Sequence, residues 1–187
     1  WFGAYAILRF HHFASAVTVN FIEVFTSAAQ RDWVKMLLRL GIVILYVFTI
    51  FLAACLSKRC KSDLRMWAIL SDAAAACVLS FLPEHLSELG VYICIFAMGF
   101  QWCVFAGKYG YPCSTIFSTN NLRQFVDAWV QTCLFRDSDH VPRMNLYGGT
   151  LLAFHTGVIA ACVLWVLGWG SRTILVVLLP AALALVW

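Results

Sequence analysis

The sequence predicts an all-α polytopic membrane protein, and three observations favour that fold class. Hydrophobic residues make up 63% of the 187 residues, charged residues only 12%, and the mean hydropathy is +0.84. A soluble domain is typically about 25% charged. Several apolar runs also approach the roughly 20 residues that a helix needs to cross a bilayer. The alternating segments of about 10 residues that build a membrane β-barrel do not occur in the sequence.

Six apolar segments are predicted to span the membrane as a helical bundle. The first is interrupted by Arg9, His11 and His12, which we interpret as a span end at the interface or as contacts to an anionic headgroup or substrate. The sequence GWGSR before the last segment predicts a tight turn, because glycine readily adopts positive φ. The six segments are residues 1–17, 34–56, 64–82, 89–107, 146–169 and 173–187.

Two shorter segments, residues 21–30 and 122–133, are predicted to be amphipathic helices. Each has apolar residues at the i, i+3, i+4, i+7 spacing of one helix face. Each is too short and too polar to cross a bilayer alone. They fit interfacial helices, and they also fit half-helices tucked between the spans.

A motif occurs twice in the chain, once before each amphipathic segment. It reads FASAVTVNFIEVFT at 13–26 and STIFSTNNLRQFVD at 114–127. The order is therefore span, motif, short helix, span, span, and then the same order again. We divide the chain into a first three-span repeat (1–83), a connecting loop (84–88) and a second three-span repeat (89–187). Because three is odd, the halves form a 3+3 inverted repeat, a transporter-like arrangement.

The loop charges predict the orientation of these halves. The densest basic cluster lies between the second and third spans, whereas the loop after the third span carries Glu84 and Glu88 without Lys or Arg. The positive-inside rule places the basic loop on the cytoplasmic or equivalent side. The two copies of the motif then approach the bilayer from opposite faces. The basic cluster is Lys58, Arg59, Lys61 and Arg65.

The motifs also resemble a known family. The stretch FAMGFQW at 96–102, followed by STIFSTNNL at 114–122, is similar to the YoaK family pattern Phe-Ala-Met-Gly-x-Gln-Asn and then Thr-Thr-x-x-Thr-Gly-Asn-Leu. The first copy, FASAVTVN at 13–20, resembles the family's Phe-Val-Ser-x-Met-Thr-Gly-Asn. The resemblance covers essentially the whole chain. It implies a small six-span membrane protein of unassigned function.

Three residues depart from that family pattern. The middle glycine of the motif is Val19 in the first copy and Asn120 in the second, and Trp102 stands where the family usually has Asn. Asn tolerates a left-handed backbone, whereas a β-branched valine does not. If the family binds a ligand through a left-handed glycine, the first half-site of this chain has lost that ability.

The polar residues of the two motifs are the first candidate substrate-binding or ion-binding residues: Thr18, Asn20, Thr119 and Asn121. One interpretation is a non-helical break at membrane depth, which is tolerated where protein or a water-filled cavity shields it. The other is a pair of helix N-caps, since Thr and Asn cap helices well. The two are compatible, because a capped N-terminus also binds anions.

Three further candidates lie inside predicted spans: Asp72, Gln101 and His155. An ionisable residue within a membrane segment is costly and therefore points to function. Asp72 and His155 together would form a proton-handling pair. The alternative is interhelical hydrogen bonding, and the alanines after Asp72 predict close helix packing there.

Other functional classes find little support in the sequence. There is no nucleophile, phosphate-loop or dinucleotide motif, so we expect neither an enzyme nor a cofactor. The eight cysteines show no metal-ligand spacing, so we expect no metal site and no disulfide framework. The net charge of +4 is spread along the chain and predicts no nucleic-acid partner.

Two functions from different classes remain. The first is a transporter-like protein that moves a small solute or ion. The second is a structural accessory subunit of a larger respiratory or photosynthetic membrane complex. The expected partners are membrane lipids, with a homodimer or the subunits of such a complex left open. The expected location is the bacterial inner membrane or a eukaryotic organellar membrane.

Overall fold

A computed structural model describes residues 1–13, 17–59, 63–105, 107–108 and 110–186, and within this part of the chain the fold is almost entirely helical. A two-residue β-ladder pairs β1 (Gly107–Lys108) with β2 (Tyr111–Pro112) in antiparallel register. The all-α prediction is therefore confirmed. The helices are α1 (Phe2–Phe10), α2 (Val17–Ala29), α3 (Trp33–Arg59), α4 (Leu64–Phe81), α5 (Ser87–Val104), α6 (Thr119–Cys133), α7 (Val141–Leu164) and α8 (Leu178–Val186).

Four helical stretches of the described chain are long and apolar enough to cross a membrane. The first predicted span differs, because α1 has only nine residues and ends at His11 in a left-handed conformation (φ 57°). The last stretch contains both the fifth and the sixth predicted spans. The four stretches are Trp33–Arg59, Leu64–Phe81, Glu84–Val104 and Ser138–Leu185.

The chain turns between the fifth and sixth predicted spans at two glycines. A π-helical turn, Trp165–Trp169, follows α7, and within it Gly168 has φ 86°. Gly170, the next residue after that turn, has φ 51°. A side chain at either position would be strained, whereas glycine adopts these angles easily. The 3-10 segment Gly170–Val177 then leads directly into α8, so the predicted glycine turn is observed.

The hydrophobic core lies where α1, α3, α4 and α5 meet. Tyr5, Ile42, Ala76 and Ile95 are almost wholly buried in it. Of the alanines that follow Asp72, Ala75 and Ala76 are buried, whereas Ala74 is exposed, so only one side of the alanine run packs against neighbouring helices. Small side chains let helix backbones approach one another.

The helix contacts come in matching pairs when the two halves of the chain are compared. Helix α2 packs on α3, and α6 packs on α7 in the same way. Helix α3 contacts α5, and α7 contacts α1. Helix α4 contacts α5, while the segment Gly170–Val177 contacts α1. This pattern is the one expected if α1–α4 and α5–α8 are equivalent units.

The amphipathic helices bury their small or polar side and expose their apolar side. Helix α2 buries Asn20 and Ser27, and α6 buries Asn121 and Ala128, with the same spacing of seven residues. Large apolar side chains such as Phe25 and Leu122 are exposed. A helix with this distribution suits a lipid environment. Each helix lies against the span that follows it, with its apolar face directed outward.

Candidate functional site: a central cavity between the two motifs

The loop before α6 is held by the buried side chain of Asn121. Its amide nitrogen donates to the Ser114 carbonyl oxygen at 2.6 Å, and its amide oxygen accepts from the Ser114 backbone N–H at 3.2 Å. Asn121 is only 1% exposed. The Ser114 hydroxyl oxygen in turn accepts from the backbone N–H of Phe117 at 3.1 Å. This side chain therefore acts as a staple that folds residues 114–118 into a compact loop.

The loop is also fixed by aromatic packing. Trp102 stacks on Tyr46 with ring centroids 6.2 Å apart, and it meets Phe117 edge-on at 6.3 Å. Trp102 replaces the asparagine of the resembled family pattern. Its indole ring joins α3 and α5 to the tip of the second motif's loop, so this residue positions the loop.

The two copies of the motif meet at one cavity of about 400 Å³. Thr18 comes from the first copy, and Thr119 from the second. Each lies in the first turn of its helix with its side chain exposed toward this space. Phe13 and Phe154 complete much of the apolar wall. Both copies of the motif therefore line one cavity.

A second cavity of about 440 Å³ adjoins the first, because Phe13, Ile116, Ser118 and Phe154 line both. Asp72 and Gln101 also line this second cavity. The same two residues line a third cavity of about 550 Å³, which extends to Asp63 and Arg65 at the start of α4. The three cavities therefore lie next to one another, from Thr18 and Thr119 at one end to the start of α4, beside the basic loop, at the other.

Asp72 lies near the middle of α4 and is 7% exposed. Its Oδ1 atom has no hydrogen-bond partner in the described part of the chain. No described cation lies within ion-pair distance of this carboxylate either. Burying an unpaired charge is expensive, so natural proteins rarely keep one without a use.

Two sequence-based interpretations need correction. Thr18, Asn20, Thr119 and Asn121 all lie inside helices, so the motif is not itself a non-helical break. The N-cap residue of α6 is Ser118, which makes no side-chain capping bond. In the second copy, the irregular backbone lies at residues 114–118, before the two candidate residues Thr119 and Asn121. In the first copy, the corresponding residues 14–16 lie outside the described chain.

His155 does not form the predicted pair with Asp72. Its side chain is exposed on α7, and its Nδ1 atom lies 2.7 Å from the Leu151 carbonyl oxygen in its own helix. The ring also contacts Phe154 edge-on, at 5.4 Å. Of the candidates in predicted spans, the structure brings Asp72 and Gln101 together and leaves His155 outside.

A separate charged cluster closes the end of the bundle where α1 stops. Arg39 is 2% exposed; its Nε lies 2.6 Å from Glu23 Oε2, at an angle outside that of a hydrogen bond. Arg39 Nη2 lies 2.7 Å from His12 Nδ1, and His12 Nε2 lies 3.7 Å from Glu88. His12 lies outside the four candidate spans. Burial and then the charge of Arg39 lower the pKa of its imidazole.

Several residues of the site were not predicted from the sequence. Phe13, Ser118 and Phe154 line two of the cavities each, yet a lone aromatic or serine carries no spacing signal. The dipeptide Arg-Asp does carry a sequence signal, because it occurs after each amphipathic helix, as Arg31-Asp32 and as Arg136-Asp137. Both arginines have positive φ (63° and 58°), and both aspartates accept backbone N–H bonds at the next helix start.

No group of three or more His, Cys, Asp or Glu that could hold a metal ion occurs in the described ranges. Seven cysteines lie in those ranges, and all are free thiols. Cys113 contacts Thr150 at 3.2 Å and Asn121 at 3.7 Å, so it belongs to the loop staple.

Comparison with known proteins gives one match. The family described as "Protein of unknown function (DUF1275)" matches residues 1–187. The chain belongs to the DUF1275 family. No curated protein and no solved structure matches the chain. DUF1275 membership confirms the expectation of a family without assigned function that extends over the whole chain. The YoaK name remains a resemblance in the motifs. The long apolar helices agree with a membrane-embedded protein.

Proposed function

We propose that this DUF1275 protein is a transporter of a small solute, built as a 3+3 inverted repeat with its substrate site between the two motifs. It is not an enzyme in this proposal. The observation that carries it is the shared cavity of about 400 Å³, which is lined by Thr18 of one half and Thr119 of the other. Transporters of this construction bind substrate near the midplane, at the interface of the repeats.

Three further observations support the repeat. The helix contacts match between α1–α4 and α5–α8. Both motifs expose Thr and bury Asn in the first turn of a helix. Each amphipathic helix is followed within three residues by an arginine with positive φ, Arg31 after α2 and Arg136 after α6. The substrate would enter the adjoining cavity beside Asp72 and Gln101, and rocking of one half against the other would expose it to each face in turn.

The test is solute uptake into proteoliposomes. Three pools of small solutes, one neutral, one anionic and one cationic, are supplied outside the vesicles. The vesicle contents are then measured by mass spectrometry. We expect at least one pool to accumulate above protein-free vesicles. Ser118→Trp should abolish that uptake, because Ser118 lines two adjoining cavities. Ser138→Trp is the matched control, because Ser138 is exposed and lies away from these cavities.

The accessory-subunit alternative has one observation in its favour. Large apolar side chains are exposed along most helices, Phe51 and Trp67 among them. Lipid covers such surfaces as readily as partner proteins do. Purification in mild detergent separates the two functions. Stable co-migration with other membrane subunits, together with no uptake from any pool, would overturn the transporter proposal in favour of the accessory role.

A further inference from the structure

The cavity beside Asp72 has a single carboxylate and no cationic side chain among the described residues of its wall. Its other polar lining residues are neutral: Gln101, Thr115 and Ser118. No Lys, Arg or His lines it among the described residues. An anionic substrate would therefore meet only repulsion from Asp72. An apolar substrate would leave the buried Oδ1 atom of Asp72 without a partner, which costs free energy.

The carboxyl group of Asp72 lacks a partner among the described residues, which leaves it available to a charged ligand. Its Oδ1 atom is buried without a hydrogen-bond partner, and only 7% of the residue is exposed. The α-amino group of Trp1 interacts with it electrostatically but does not reach ion-pair distance. A ligand cation in the cavity would supply the missing partner.

Four aromatic residues contribute to the wall of this cavity. Trp1, Phe2, Phe13 and Phe154 all line the same cavity. Aromatic faces attract cations that approach within about 6 Å of the ring centre, and aromatic cages are a common way to recognise quaternary ammonium groups. The volume, about 440 Å³, falls within the roughly 300–1,000 Å³ of small-molecule sites.

We propose that the cavity lined by Asp72 and the four aromatic residues binds a small organic ammonium cation, with the carboxylate as counter-ion and the rings as walls. This deepens the transporter proposal and rests on it. An inorganic cation would need a shell of oxygen ligands, whereas this wall is mostly carbon. The third cavity gives the ligand a route past Asp72 toward Asp63 and Arg65.

The probe is choline, because its quaternary ammonium group carries a permanent charge at every pH. The matched uncharged probe is 3,3-dimethylbutan-1-ol, which has the same shape with carbon in place of nitrogen. Binding is measured by intrinsic tryptophan fluorescence of the full chain in nanodiscs. The N-terminus carries an affinity tag, so that the α-amino group of Trp1 cannot act as the cation.

We expect choline to bind at least about tenfold more tightly than the alcohol. Asp72→Asn should reduce choline affinity about tenfold and leave the affinity for the alcohol unchanged. Phe154→Leu should reduce choline affinity about threefold. Glu84→Gln is the control, because it removes an exposed carboxylate that pairs with Arg9 at the other end of α1. Asp72→Asn breaks no hydrogen bond, so a folded variant is expected.

The outcomes separate the two proposals. Equal binding of the two probes, or choline binding that Asp72→Asn leaves intact, would overturn the ammonium inference. If the uptake assay then shows accumulation of the neutral or anionic pool, the transporter proposal stands without it. If choline binds with the expected selectivity but no solute accumulates, the site is an ammonium site and the transport proposal fails.

Discussion

The first and second halves of this chain each contain an ion pair between a short amphipathic helix and the long helix after it, but the two pairs differ in burial. Glu23 of α2 pairs with Arg39 of α3, and Asp127 of α6 pairs with Arg143 of α7 at 2.9 Å. The side chain of Arg39 is 3% exposed and that of Arg143 is 19% exposed. The arginine of the ion pair between a short helix and the next span is thus almost fully buried in the first half and partly exposed in the second.

The comparison also explains why the missing glycines do less harm than the family pattern suggests. Neither Val19 nor Asn120 has a positive φ, since both lie within the first turn of a helix. Glycine is required only where the backbone is left-handed or approached closely. The geometry that the two copies of the motif in this chain share is a buried Asn two residues after an exposed Thr.

The largest expected effect comes from removing the buried ion pair between Arg39 and Glu23. Arg39→Leu should lower the free energy of unfolding by about 3 kcal/mol, because it leaves Glu23 with only the more distant Lys35, at 3.9 Å, and removes the contact of Arg39 with His12. Arg143→Leu should cost less than about 1 kcal/mol, since the second pair is more exposed. Thermal unfolding in one detergent measures both. Equal losses would show that the halves do not differ in this respect.

The next effect concerns the asparagine staple. Asn121→Leu should cost about 1–3 kcal/mol, because two backbone groups of Ser114 lose their partner. Asn120→Leu is the matched control in the same turn; its side chain is exposed, so a change within about 0.5 kcal/mol is expected. Asn20→Leu tests the comparison: a loss similar to that of Asn121→Leu supports equivalent halves, and a neutral result argues against them.

How much of this arrangement was predictable depended on where the information lies. The apolar runs and the i, i+3, i+4 stripes are local, and they predicted α2, α6 and the long spans. The orientation of His155 is not local: α7 is apolar on most sides, so only its packing on α6 and α1 decides which face looks inward. Likewise, the residues Thr119 and Asn121 of the second motif were predicted from the sequence as candidates, but the helical start at Thr119 depends on the Asn121 staple, which no local pattern reveals.

A smaller effect is expected at the two arginines with positive φ. Arg31→Gly and Arg136→Gly should each stabilise the protein by about 1 kcal/mol, because a left-handed non-glycine residue costs roughly that much. Both form the turn after an amphipathic helix. Thermal unfolding of the single and double variants checks the values. Additive gains of equal size would support two independent, equivalent turns, and a gain in one half alone would not.

The smallest expected effect is a pH dependence in one half only. The pKa of His12 in the folded protein is lowered, first by burial and then by Arg39; Lys35 adds to this, while Glu88 and Glu23 oppose it. The folded state therefore takes up a proton less readily than the unfolded chain, whose histidine has a pKa of about 6.5. Stability from this group is complete above that pH and declines as the pH falls toward the lowered pKa.

The measurement is the melting temperature between pH 8 and pH 5 for the wild type, His12→Gln and His140→Gln. His12→Gln should lose less stability on acidification than the wild type, since its side chain takes up no proton. His140→Gln is the control from the second half, where the histidine is paired only with the partly exposed Asp137, at 3.5 Å. A wild-type pH profile in His12→Gln would show that the charged cluster around Arg39 tolerates a protonated His12, and that its burial does not set the pH response.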